Sequence, residues 1–323
     1  MRLRLPPTPD FVHNGVPFGG YVADPTSRFY EQIDYIDEDD CIYNEDDLNE
    51  ITDNKLYKVV IKYLEKHVAS SNRYDIGELP NIEFSLQFKK DCGPPDGGIV
   101  YPLPKQQYEY LKIEIEKLLK AGLIEPSDSP HAAPTFLVVK PDGSWRIVHD
   151  FKKLNAVTET YANTLPNSKE AVQQAAGYKY YATLDIRSGF NHISIAEWCK
   201  RYVSFTTPFG TFQWKRLPFG LKNAPAYFQQ ALYNIFKDLD GIQIFVDDII
   251  ICSNSIEEHI SKVEEVLARL LKYDLKLRLD KCHFLETHIK YLGYIISENG
   301  IEPDEKYNYY ITFMFIQWFF YRK

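Results

Sequence analysis

The sequence predicts an α+β fold on three observations. Strand-forming runs come in pairs around tight turns at residues 135–149, 205–214 and 242–252, the pattern of antiparallel hairpins. Between and after them lie stretches with apolar residues at helical spacing. At 323 residues and 45% apolar content the chain can build a real core in two or three domains.

The elements follow in order. Residues 1–54 are marked by Pro and Gly and are acidic, with eleven acids and no Lys or Arg from Glu31 to Asp53. So much like charge resists packing, and residues 1–100 are expected to form an acidic N-terminal extension, partly disordered. Within it, residues 55–68 read as a short helix and 82–88 alternate as a strand. Residues 107–121 carry Leu111, Ile115, Leu118 and Leu119 at helical spacing, with Gly122 where a helix end favours a left-handed residue. Lys140 and Arg146 flank a hairpin turn at Pro141-Asp142-Gly143, where a point charge and a planar fork could hold triphosphate or simply stay solvated. After the hairpin at 205–214, Gly220 feeds a helix that Pro225 can start, with Lys222 at its entry able to face an anion. A helix spans 255–273 with Ile260, Val263, Leu267, Leu270 and Leu271 on one side. Phe284-Leu285 and residues 291–297 read as a last strand pair.

Net charge is −8, but 19 acids against 10 bases fall in residues 1–100, while residues 101–306 hold 26 against 25. The body is neutral, so composition neither excludes nor requires a nucleic-acid partner. Five scattered cysteines without a C-x-x-C pair argue against a disulfide framework or zinc site and for a reducing compartment, cytoplasmic or nuclear. Residues 1–20 lack an apolar signal core, so neither secretion nor a membrane is expected.

Three acids carry the chemistry. Asp247 and Asp248 interrupt the run 242–252 and fall at a hairpin tip, where two carboxylates repel one another and suit a divalent cation. An isolated Asp-Asp turn can equally be a solvated turn. Asp185 ends another strand-like run, Tyr180 to Ile186, so two strand ends could share metal.

The order of these pieces from about Tyr101 to Pro303 resembles the reverse transcriptases of gypsy-type LTR retroelements. The resemblance rests on residues 118–130, Lys140 to Arg146, Asp150 to Asn155, Leu184-Asp185-Ile186-Arg187-Ser188-Gly189-Phe190, Leu217 to Pro225, Phe245-Val246-Asp247-Asp248 and Tyr291 to Ser297. It implies a right-hand polymerase fold with fingers, palm and antiparallel palm sheet over 101–303, and an RNA-directed DNA polymerase acting on primed RNA or DNA template with dNTPs. Asp185, Asp247 and Asp248 would be the catalytic carboxylates for two Mg²⁺ ions, with Mn²⁺ as a possible substitute. Lys140, Arg146, Ile186, Phe190, Phe219 and Gly220 would contact the nucleotide, and Phe190 would sit under its sugar. Val246, Tyr291, Leu292, Gly293 and Tyr294 would meet primer or template. Other Pol domains are implied as partners.

The pattern has departures. Gly189-Phe190-Asn191-His192-Ile193 stands where the family reads Gly-Tyr-His-Gln-Ile, and Asn163 to Asn167 is a weak form of its Tyr-Pro-Leu-Pro. Residues 304–323 form an aromatic, hydrophobic tail unlike a thumb, its apolar core of about ten residues well short of a membrane span. The thumb is therefore expected to be largely missing, with weak, salt-sensitive binding of nucleic acid. The alternative reading is a catalytically silent retroelement remnant that at most binds nucleic acid.

Overall fold

The computed structural model describes residues 12–13, 16–17, 53–70, 72–140, 143–162 and 168–304. Outside them lie the acidic run before Asp53, the turn residues Pro141 and Asp142, the segment Asn163 to Asn167, and the tail after Asp304. Two compact units emerge: Asn81–Tyr161 with Phe190–Ala224, and, among the described residues, 53–80 with Ala162–Gly189 and 225–304.

The first unit is organised by a five-stranded sheet in the order Ile124–Pro126, Gly210–Trp214, Ser204–Thr207, Ala133–Val139, Trp145–His149. Ala133–Val139 runs parallel to Ser204–Thr207, and the other neighbours are antiparallel. Helix Lys105–Lys120 buries Leu111, Ile115 and Leu118 and ends before Gly122, whose φ of +68° is the expected left-handed exit. The alternating run 82–88 does bury Phe84 and Leu86, yet only Glu83–Phe84 forms a strand, paired with Ser194–Ile195. Its remaining backbone bonds go elsewhere: the Leu86 N–H donates to Cys199 Sγ at 3.1 Å and the Lys89 N–H to the Val157 carbonyl at 2.8 Å.

His149 is buried in this sheet, bonded through Nδ1 to Thr135 Oγ1 at 3.0 Å and stacked on Phe205 at 4.1 Å. Burial pushes its pKa down to about 3, so the unfolded chain takes up a proton that the folded one refuses. Stability therefore falls as pH drops below about 6.5 and stops falling near pH 3, at about 1.4 kcal/mol per unit. Between pH 7 and pH 5, urea unfolding will show wild type losing about 2 kcal/mol more stability than His149→Gln does.

The second unit holds a four-stranded antiparallel sheet in the order Ile242–Phe245, Asp248–Ser253, Tyr180–Asp185, His283–Glu286. Ile249, Ile250, Ile251 and Cys252 are all buried, so this strand is covered on both faces. Helix Ile256–Lys272 is capped by Ser255, whose Oγ accepts the Glu258 N–H at 3.2 Å. Its buried stripe is His259, Val263, Val266, Leu267 and Leu270, turned slightly from the expected one because polar His259 is drawn inward. Both ring nitrogens of His259 are used. Nε2 lies 2.7 Å from the Phe284 carbonyl, which can only accept, so Nδ1 accepts from the Ser253 hydroxyl at 2.7 Å.

Helix Asn54–Leu64, capped by Asp53, packs here with Leu56 and Val60 buried and Lys62 paired to Glu264 at 2.7 Å. Within residues 1–100, 53–64 thus belongs to the second unit and 83–84 to the first, since their apolar residues need a partner surface. A correction concerns Phe284-Leu285. Strand His283–Glu286 joins the edge of Tyr180–Asp185, while His288–Tyr291, Tyr294–Ser297 and Gly300–Pro303 form a separate three-stranded sheet. Among the described residues no helix is long and apolar enough to cross a membrane, and Cys92, Cys199, Cys252 and Cys282 are free thiols.

Candidate active site

The three acids meet in the second unit. Asp185 ends its strand directly opposite Asp248 in the antiparallel register, and Phe245 pairs with Asp248 across a two-residue turn made of Val246 and Asp247. The Ile186 N–H donates to the Asp247 carbonyl at 3.2 Å and ties the turn to the neighbouring strand. Register alone thus brings together side chains more than sixty residues apart in sequence.

The electrostatics are those of crowded like charge. Asp247 is pushed up to about 6, first by burial and then by Asp185 and Asp248. The carboxyl of Asp248 opens to solvent and is raised too, by the atoms around it and then by Asp185. Lys281 answers this charge, its Nζ standing 3.4 Å from Asp185 Oδ2 and favouring the ionised forms of Asp247 and Asp248. The sequence reading did not single out Lys281, which comes from the connection just before strand His283–Glu286.

Asp247 Oδ1 is buried and accepts no hydrogen bond. A carboxylate oxygen in that state wants a cation, and the donor set of three carboxylates suits Mg²⁺ or Mn²⁺. Among the described residues no group of three His, Cys, Asp or Glu side chains encloses an ion by itself. Mg²⁺ does not require that, since it keeps waters and takes substrate phosphates as ligands.

Two residues missed from the sequence shape this corner. Gly189 has no room for a side chain: a Cβ would lie 2.6 Å from the Phe228 ring and 2.9 Å from Asp247 Oδ1. Gln229, on helix Ala224–Phe236, bonds the acid hairpin at both ends of its amide. Its Nε2 donates to the Ile244 carbonyl at 3.0 Å and its Oε1 accepts the Val246 N–H at 2.6 Å.

Other expected site residues fall into place unevenly. Ile186 is buried and its backbone bridges to Leu277, so its side chain belongs to the core. Tyr291 is likewise buried among Ile250, Cys252, Ile289 and Ile296. Leu292 and Gly293, with φ of 49° and 87°, are the two-residue turn of that hairpin and leave Tyr294 partly exposed beside it.

In the first unit, Val138 pairs with Arg146 and the Lys140 N–H bonds the Ser144 carbonyl at 2.8 Å. The pleat then sets Lys140 and Arg146 on one face of the hairpin. Phe190 is 6% exposed with its ring 4.9 Å from that of Phe219, which is 53% exposed. The carbonyl of Gly220, a residue at φ +98°, accepts from Asn155 Nδ2 at 2.8 Å, and Asn155 Oδ1 accepts the Lys222 N–H at 2.9 Å. Lys222 does not wait for an anion: its ammonium is bonded to the Thr158 carbonyl.

Comparison with known proteins agrees with this arrangement. Residues 138–296 match the family described as reverse transcriptase (RNA-dependent DNA polymerase). The chain is 38% identical over 213 residues to the retrovirus-related Pol polyprotein from transposon opus of Drosophila melanogaster, covering 64% of this chain and 21% of that one. It is 32% identical over 212 residues to the Pol polyprotein from transposon gypsy of the same organism, covering 63% and 20%. The chain thus spans about a fifth of the length of these curated relatives. The foamy viral protease-reverse transcriptase solved with an RNA/DNA hybrid shares the fold, with a TM-score of 0.72 at 23% identity over 92% of this chain and 38% of that one. Residues 138–296 are thus similar to the reverse transcriptase family, and the chain is similar to one segment of the Pol polyproteins of gypsy and related transposons.

Proposed function

We propose that the chain is the polymerase part of a reverse transcriptase, adding dNTPs to a primer 3′-hydroxyl on an RNA or DNA template. The observation that carries this reading is the meeting of Asp185, Asp247 and Asp248 at two strand ends, with Asp247 Oδ1 buried and unpartnered. The relatives are Pol polyproteins, and the similar foamy viral enzyme was solved with an RNA/DNA hybrid.

In the reaction, the primer oxygen bonds to the α-phosphorus as the bond to the bridging oxygen breaks, pyrophosphate leaves, and the hydroxyl proton passes to solvent. Asp185, Asp247 and Asp248 would hold divalent magnesium, which when bound would supply the lowered hydroxyl pKa and the charge neutralisation that this displacement needs. Asp247, raised to about 6, is mostly ionised at neutral pH and ready to bind a cation. Lys140 and Arg146, on one face of their hairpin, supply positive charge for the triphosphate. Phe190 and Phe219 present aromatic surface to the nucleotide, and Leu292, Gly293 and Tyr294 present a turn to the primer strand.

Extension of a primed homopolymer by wild type and Asp247→Asn tests the reading. Incorporation in wild type, reduced more than about 100-fold in the variant, is the expected outcome, since even outer partners of metal ligands carry 10–100-fold effects. Equal, background-level incorporation by both across salt and metal conditions would leave only a nucleic-acid-binding remnant. Sugar selection has its own test. Phe190→Val opens volume beside Phe219 and is expected to raise ribonucleotide incorporation relative to dNTP; unchanged discrimination removes Phe190 from that role.

A further inference from the structure

The turn that carries Asp247 is built from an unsuitable residue. Val246 occupies the first central position of a two-residue hairpin turn with φ of +55°. That position favours glycine, and a β-branched side chain with positive φ is a genuine outlier. Such strain persists only where the surroundings over-determine the conformation.

Beside the Ile186 N–H, which holds the Asp247 carbonyl, one side chain bonds this turn directly. Gln229 is 8% exposed, and its amide meets the strand that enters the turn at the Ile244 carbonyl and the turn itself at the Val246 N–H, at 3.0 and 2.6 Å. Those two backbone groups are bonded by the one amide, which fixes the distance and angle between them. Its helix, Ala224–Phe236, also presents Phe228 to Gly189, and a Cβ at Gly189 would meet both that ring and Asp247 Oδ1. Val246 and Asp247 are adjacent, so whatever fixes the backbone of the first aims the carboxylate of the second.

We infer that Gln229 is a positioning residue for catalysis: its amide holds Val246 in the left-handed conformation and so keeps the Asp247 carboxylate turned toward Asp185 and Asp248. The inference rests on the reading of those acids as the cation site. It requires that loss of the amide loosen cation binding, and that glycine at 246, which adopts positive φ freely, restore part of it.

Mn²⁺ titration of the full chain, followed by calorimetry or by the electron paramagnetic resonance of free Mn²⁺, is the test, with no nucleotide or primer present. Gln229→Met keeps the volume and removes both bonds; it is expected to weaken Mn²⁺ binding about tenfold, the factor equivalent to one ordinary hydrogen-bond energy. The double variant Gln229→Met with Val246→Gly is expected to recover a measurable part of that loss.

Wild-type affinity in Gln229→Met overturns the inference while leaving the cation site standing. Absence of Mn²⁺ binding in wild type, with no difference from Asp247→Asn, overturns both. Should Gln229→Met fail to fold, the double variant decides: recovery of folding and binding supports the strain argument, and equal failure overturns it. A lowered melting temperature in Gln229→Met with wild-type affinity marks a merely structural role and counts against the inference.

Discussion

Asp247→Asn will abolish nucleotide addition and at the same time make the metal-free protein more stable at neutral pH. The wild-type carboxyl is raised to about 6 by burial and by two neighbouring acids, so the folded state holds its proton over a range where the unfolded chain, near 3.8, has released it. Stability therefore falls as pH rises from about 3.8 to about 6 and stays low above that. Asparagine removes the charge and keeps the shape. After allowance for partial exposure, the gain at pH 7 is about 1–2 kcal/mol, vanishing as pH approaches 4. Thermal unfolding with and without Mg²⁺ checks this: the cation stabilises wild type through binding and shifts the variant much less. A variant less stable than wild type at pH 7 without metal would mean that the three acids do not repel as described.

Gly189→Ala has the second large effect, through sterics. The added methyl would stand 2.6 Å from a ring atom of Phe228 and 2.9 Å from Asp247 Oδ1, both inside van der Waals contact. Phe228 is fully buried and cannot swing away, so the strain falls on helix Ala224–Phe236 or on Asp247. Overpacking of this kind costs about 1–3 kcal/mol, and displacement of Asp247 lowers incorporation further. Urea unfolding with primer extension measures both. Full activity and unchanged stability would show that the acid corner has slack, which would also weaken the role assigned to Gln229.

Part of both units was legible in the sequence because it depends on local rules. The β-formers around Asp247-Asp248 and the Gly122 helix exit are each set by neighbours within a few residues. Gln229 was not legible as anything but a helical polar residue, since its partners, Ile244 and Val246, are known only once the helix packs on the hairpin. Lys281 is in the same position: only the register of His283–Glu286 against Tyr180–Asp185 brings it to the acids. Burial of the Ile186 and Tyr291 side chains was likewise decided by packing and not by their motifs.

By itself the sequence determined that three carboxylates lie at strand ends within an α+β chain that resembles reverse transcriptases, because period, turn chemistry and motif order are written along the chain. Tertiary structure alone decided what surrounds them. Burial raises Asp247, the missing Cβ of Gly189 admits the Phe228 ring beside it, and a glutamine from another element pins a strained valine. Each of these depends on distances between residues far apart in sequence, which no local pattern encodes.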